Sequence, residues 1–63
     1  MRYRDARLLN VGDKVVRKSD QVVLQVESLE IYGQYKLVKL HCTDSNGSKV
    51  VVANDEVKEL NET

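Results

Sequence analysis

His41 and Cys42 are the one imidazole and the one thiol of the chain, and they are neighbours in the sequence. A thiol activated by a histidine base is a catalytic arrangement, but it requires both side chains within hydrogen-bond reach. The surrounding residues predict a β-strand, on which successive side chains point to opposite faces. We therefore expect Cys42 in the core and His41 partly exposed on the outer face, and predict no catalytic pair.

The remaining chemistry-bearing residues form no pattern typical of an active site. Structural zinc takes about four side-chain ligands, and one Cys with one His does not supply them. The 10 acidic residues show no spacing typical of an acid–base pair, and the three isolated glycines form no phosphate-binding loop. We predict that the protein is not an enzyme and binds no metal or other cofactor.

The formal net charge is zero, which removes bulk attraction as a reason to expect nucleic-acid binding. The charge is nevertheless uneven, because residues 1–18 hold six basic and two acidic side chains while residues 19–63 hold four and eight. One interpretation is a dipolar, solvated surface. The other is a basic N-terminal arm that is dispensable for folding and contacts an anionic partner. The candidate phosphate contacts are Arg2, Arg4, Arg7, Arg17 and Lys18.

Valine-rich segments separated by turn residues predict five strands, and the chain contains no proline. The first four run over about 14–18, 22–31, 36–43 and 49–53. A 3₁₀ turn at 54–56 and a short closing strand follow them. A C-terminal helix capped by Asn54 is the alternative, because Val57 and Leu60 are also at helical spacing.

The apolar positions of the second strand alternate up to Val26 and then change phase to Leu29 and Ile31. One extra residue near Glu27 keeps both sets on one face, which predicts a β-bulge. After this strand, 32–35 predicts a two-residue type II′ turn with Gly33 at its first central position.

The second hairpin determines which side chains of the fourth strand face the core. Residues 44–47 predict a loop of two or four residues, and either length places Val51 and Ala53 on the core face. The predicted core includes Val26, Leu29, Val38, Leu40 and Val51.

The same register leaves an apolar group on the outer face of the sheet. The candidate partner-binding residues are Tyr32, Tyr35, Leu37, Val50 and Val52. Contiguous exposed apolar surface usually marks an interface or is covered by another segment. Three explanations stay open, namely cover by the N-terminal arm (residues 1–10), a homodimer, or the surface of a different partner.

These strands predict one domain over residues 1–63, an all-β, small five-stranded SH3-like barrel with a short 3₁₀ turn before the last strand. Residues 51–60 resemble the closing segment of SH3-like barrels. Val11-Gly12-Asp13-Lys14-Val15, Lys18-Ser19 and Leu24-Gln25-Val26-Glu27-Ser28-Leu29 are similar to the YodC-like family of small uncharacterised bacterial proteins. Leu40-His41-Cys42 falls where that family often has an apolar residue, any residue and Cys.

The resemblance covers about residues 10–43 and departs from the family in two places. Asp20-Gln21 stands where the family tends to have glycines, and no Trp follows Cys42. The resemblance implies the fold and a bacterial, cytoplasmic origin, but no activity. A single cysteine and the lack of an apolar leader after Met1 also favour the cytoplasm, and the apolar runs are too short to cross a membrane.

From these observations we expect a non-enzymatic interaction module that binds a protein or peptide through Tyr32, Tyr35 and Leu37, with a homodimer as a further outcome. The alternative is a nucleic-acid accessory domain of the KOW or Tudor-like type, in which the basic arm contacts phosphates.

Overall fold

The computed structural model describes residues 1–60, in which five antiparallel strands form one sheet in the order β4-β3-β2-β1-β5. The elements are α1 (Tyr3–Ala6), β1 (Lys14–Arg17), β2 (Val23–Tyr32), β3 (Leu37–Thr43), β4 (Lys49–Ala53) and β5 (Val57–Glu59), with 3₁₀ turns at Gly33–Tyr35 and Asn54–Glu56. The five-stranded SH3-like fold and the turn before its last strand are confirmed. The alternative C-terminal helix is wrong, because a strand follows Asn54–Glu56.

The long second strand contains the predicted bulge. Val26 pairs with Cys42 and Ser28 pairs with His41, so Glu27 is the extra residue between them. An extra residue bends a strand and restores the inward phase of its apolar positions. β2 therefore contributes the buried Leu24 and Val26 before the bulge and only the partly buried Leu29 after it, so the predicted full burial of Leu29 is wrong.

The predicted two-residue turn between β2 and β3 is wrong. Gly33–Tyr35 forms a 3₁₀ turn, so Tyr32 pairs with Leu37, and Leu29 pairs with Leu40. The register therefore differs by two residues from the predicted one. Because side chains alternate with a period of two, this shift leaves every side chain on its predicted face.

The loop between β3 and β4 has neither of the predicted lengths. The Asp44 amide donates to the Ser48 carbonyl, and the Gly47 amide donates to the Asp44 carbonyl, both at 3.0 Å. These bonds enclose a loop of three residues, 45–47. Gly47 has a φ of 85°, the left-handed conformation that closes three-residue hairpin loops with a bulge.

This odd loop length reverses the predicted faces of β4. Leu40 pairs with Val52 and His41 pairs with Val51. Val52 is therefore buried at 5% exposure, whereas Val51 is 56% exposed. The predicted placement of Val51 and Ala53 on the core face is wrong, and so is the predicted outward orientation of Val50 and Val52.

All five strands and the N-terminal helix contribute to a single core. Its buried members are Ala6, Val15, Leu24, Val26, Val38, Leu40, Cys42, Val52 and Val57. The two edge strands, β4 and β5, do not pair with each other, yet both pack on this cluster. The sheet therefore curves around a shared core.

The N-terminal arm is a structural element that packs against the core. Ala6 is fully buried, and the amino group of Met1 donates a hydrogen bond of 2.7 Å to the Val57 carbonyl. The Asn54 side-chain amide donates to the Met1 carbonyl at 3.0 Å. The arm therefore covers the core beside Asn54. The burial of Ala6 and the backbone hydrogen bonds of Met1 argue against an arm that is dispensable for folding.

We expect Val52→Ala to lower the free energy of unfolding by about 1–3 kcal/mol, because it leaves a cavity in the core. Val51→Ala is the matched control, since it makes the same chemical change on the same strand at an exposed position. The two variants share any loss of strand propensity, so their difference reports burial. Urea denaturation that shows Val51→Ala to be the more damaging change would contradict the observed register.

Deletion of residues 1–6 should lower the free energy of unfolding by at least about 2 kcal/mol, because it uncovers the core and removes the Met1 hydrogen bonds. The control is a double change of the exposed Arg2 and Arg4 to Ala, which we expect to stay within about 0.5 kcal/mol of wild type. Thermal melts in which both variants match wild type would show that the arm does not support the fold.

Candidate functional site

All three aromatic residues of the chain lie around the turn between β2 and β3. Tyr32 ends β2 and Tyr35 ends the 3₁₀ turn, whereas Tyr3 comes from α1. The Tyr3 hydroxyl lies so close to Gly33 that a Cβ atom at that position would be 3.1 Å from it. Glycine at this position therefore permits the close approach of the arm. We define the tyrosine patch as Tyr3, Tyr32, Tyr35 and Leu37.

Cationic side chains lie over two of these rings. The Lys36 ammonium is 5.9 Å and the Arg7 guanidinium carbon 6.0 Å from the centre of the Tyr3 ring. The Lys39 ammonium is 5.8 Å from the centre of the Tyr32 ring. Cations within about 6 Å of a ring centre are attracted to the negative face of the ring. The tyrosine patch is therefore bordered by positive charge.

Glu30 connects Tyr32 to His41 on the outer face of the sheet. Its carboxylate accepts a hydrogen bond of 3.1 Å from the Tyr32 hydroxyl and lies 2.6 Å from His41 Nε2. The hydrogen bond with His41, and secondarily that from Tyr32, lowers the pKa of Glu30. The same carboxylate raises the pKa of the Tyr32 hydroxyl. This exposed network links Tyr32, Glu30 and His41 across β2 and β3.

His41 and Cys42 lie on opposite faces of β3, as predicted. Cys42 is 1% exposed, and burial raises the pKa of its thiol, with a smaller contribution from Glu27. A buried neutral thiol is a poor nucleophile. Within residues 1–60, no three His, Cys, Asp or Glu side chains are grouped so that they could hold a metal ion. No helix in the same residues is long and apolar enough to cross a membrane.

The predicted phosphate contacts occupy different environments. The Arg17 guanidinium donates two hydrogen bonds to the Asp20 carboxylate, at 3.0 and 2.8 Å, so its charge is already compensated within the chain. Arg7 lies over the Tyr3 ring at the edge of the tyrosine patch. The other three, Arg2, Arg4 and Lys18, are exposed.

Three of the five predicted partner-binding residues, Tyr32, Tyr35 and Leu37, belong to the tyrosine patch. Val50 and Val52 do not, because they face the core side of β4. Sequence reasoning missed two groups of residues, the cations Lys36 and Lys39 with Glu30, and the arm residue Tyr3. For Glu30 the sequence did contain a signal, because Glu30 and Tyr32 are two residues apart on one strand and therefore share a face. No local signal connects Tyr3 to Gly33.

Comparison of the chain with protein-family models, with curated proteins and with solved structures finds no match in any of the three. The resemblance to the YodC-like family, and the bacterial and cytoplasmic origin that it implies, therefore stay predictions.

The Glu30 network predicts a small dependence of stability on pH. Because the pKa of Glu30 is lower in the fold than in the unfolded chain, its contribution is present at neutral pH and is lost as pH falls below about 4.3. Melting temperatures of wild type and Glu30→Gln should therefore differ at pH 7 and converge at low pH. A difference that grows on acidification would contradict this sign.

Proposed function

We propose that this chain is a non-enzymatic interaction module that binds a protein or peptide partner through the tyrosine patch. The observation that carries the proposal is the convergence of all three aromatic residues on one turn, although Tyr3 is distant from the other two in sequence. Tyrosine is enriched at protein interfaces because its ring buries apolar area and its hydroxyl still forms hydrogen bonds. Tyr35 is 72% exposed and so offers its ring to a partner.

The charges around the patch favour a partner that presents carboxylates beside an apolar or aromatic side chain. Arg7, Lys36 and Lys39 border the rings, whereas the nearby Glu30 is already hydrogen-bonded to Tyr32 and His41. Carboxylates of a partner would therefore meet cations at the rim, while its apolar side chain packs on the rings. Such charge complementarity mainly sets specificity and the rate of association.

A nucleic-acid accessory domain of the KOW or Tudor-like type is the second candidate. Aromatic rings beside cations are also how single strands are held, because bases stack on the rings and phosphates approach the cations. Two observations make this candidate the weaker one. The chain has no net positive charge, and the Arg17 guanidinium is already engaged by Asp20.

Tyrosine fluorescence is a direct probe of this surface, because the chain has no tryptophan and all its tyrosines belong to the patch. Peptides selected from a randomised display library on the wild-type domain should be enriched in aromatic or aliphatic residues flanked by Asp or Glu. Their titration should change the tyrosine emission. Tyr35→Ala should weaken binding roughly tenfold, as expected for loss of an aromatic anchor. The control is Val11→Ala, which removes an equally exposed apolar side chain outside the patch.

Peptides that bind the Tyr35→Ala variant as well as wild type would overturn the proposed surface, as would a failure to enrich any peptide. A single-stranded oligonucleotide, such as an oligothymidylate, tests the second candidate in the same titration. Binding of the oligonucleotide that falls steeply between about 50 and 200 mM salt would replace the protein partner with a nucleic acid.

A further inference from the structure

The two edge strands of the sheet differ in their protection against pairing. β5 has three residues, carries the charged Lys58 and Glu59, and is covered at the Val57 carbonyl by the amino group of Met1. β4 has five residues, Lys49–Ala53, and consecutive valines occupy its centre. Short length, charged side chains and covering segments are the usual ways in which proteins prevent edge strands from pairing. β5 has all three, whereas β4 has a charged residue only at its start.

The hydrogen-bond pattern shows which backbone groups of β4 point toward the open edge. Along an antiparallel pair, successive residues direct their N–H and C=O groups alternately toward the partner strand and away from it. The Asp44 amide bonds to the Ser48 carbonyl, and the register from there to Ala53 is continuous. Even-numbered residues of β4 therefore bond to β3, and Lys49, Val51 and Ala53 direct their backbone groups outward.

Ala53 confirms this assignment. Its amide donates to the Glu56 carboxylate at 2.8 Å and not to β3. Glu56 therefore closes one end of the edge, and the backbone groups of Val51 lie at the centre of the part that stays open. The Val51 side chain is also exposed, so both its backbone and its side chain are accessible to a partner strand.

We propose that β4 pairs antiparallel with β4 of a second copy of this chain, about a two-fold axis that passes through Val51. In this register Val51 exchanges both backbone hydrogen bonds with Val51 of the second copy. Lys49 lies opposite Ala53, whose carbonyl already accepts one bond as the N-cap of the 3₁₀ turn and has a second lone pair for the Lys49 amide of the other copy. The Ala53 amide keeps its bond to Glu56.

The edge is complementary to itself in charge as well as in hydrogen bonding. Since Lys49 lies opposite Ala53 of the second copy, its ammonium comes close to the Glu56 carboxylate that caps that Ala53. The symmetry forms this ion pair twice. On the outer face Val51 meets its own copy, and on the core side Val50 lies opposite Val52. Opposite charges and apolar pairs across neighbouring strands both stabilise a sheet.

Other antiparallel registers of the same edge are less favourable. An axis at Lys49 places two ammonium groups opposite each other, and like charges in that position destabilise a sheet. An axis at Ala53 opposes two amides that are already bonded to Glu56. The register centred on Val51 also pairs the full length of β4. Because one short strand buries less area than a standard interface, we expect a dimer in concentration-dependent equilibrium with the monomer.

A symmetric disulfide tests the register directly. Hydrogen-bonded antiparallel partners have Cα atoms about 5.5 Å apart, a separation that suits a disulfide. Under oxidising conditions Val51→Cys should form a cross-linked dimer at least about tenfold faster than a control thiol, because dimerisation raises the effective concentration. The control is Val23→Cys, which places an exposed thiol on β2, a strand paired on both sides. Wild type, whose Cys42 is buried, should not cross-link.

Analytical ultracentrifugation of the unmodified chain gives an independent test. Wild type should shift from monomer to dimer as concentration rises, Val51→Lys should remain monomeric, and Val23→Lys should behave as wild type. Tyr35→Ala should dimerise normally, which separates this inference from the proposed partner site. Thermal melts establish that each variant is folded. A wild type that stays monomeric at all concentrations, a dimer that survives Val51→Lys, or equal cross-linking of the two thiols would overturn the proposal.

Discussion

The side-chain amide of Asn54 joins β3 to the N-terminal arm at the point where β4 turns toward β5. Its Oδ1 accepts the Val38 amide and its Nδ2 donates to the Met1 carbonyl, each at 3.0 Å. Asn54 is 7% exposed, so loss of either bond would leave a buried polar group without a partner, which costs about 1–3 kcal/mol. In a chain this small, that is a large part of the total stability.

Both proposed surfaces depend on this corner of the fold. Asn54 holds the arm, and the arm brings Tyr3 to the turn at Gly33. The position of the third aromatic ring of the patch therefore depends on a residue more than 50 positions later in the sequence. The 3₁₀ turn that Asn54 begins also places the Glu56 carboxylate on the Ala53 amide. That bond closes one end of the β4 edge and supplies the acidic group for Lys49 of a second copy.

The strands, the bulge at Glu27 and the final 3₁₀ turn could be predicted because their signals are local alternations and turn residues. The faces of β4 could not, because they depend on whether the loop has an odd or an even number of residues. The segment 44–47, Asp-Ser-Asn-Gly, is compatible with an odd or an even loop length. In the structure Gly47 adopts the left-handed conformation that closes a three-residue loop. The loop predicted after Tyr32 was two residues too short, which left the side chains of β3 on their predicted faces. The loop predicted before Lys49 was wrong by one residue, which reversed the faces of β4. The contact of Tyr3 with Gly33 is long-range and has no local signal.

The reversed faces of β4 also mean that the tyrosine patch and the β4 edge are separate surfaces, whereas the sequence analysis predicted one continuous apolar face. With Val50 and Val52 turned toward the core, the outer face loses its apolar continuity, and Val51 is left at an open strand edge. The β3–β4 ladder ends at Lys39 and Ala53, whereas Tyr32 pairs with Leu37 beyond that end. A dimer formed through β4 therefore leaves the tyrosine patch accessible in both copies. A partner with two copies of its motif would then gain affinity from effective concentration, without any new contact in either patch.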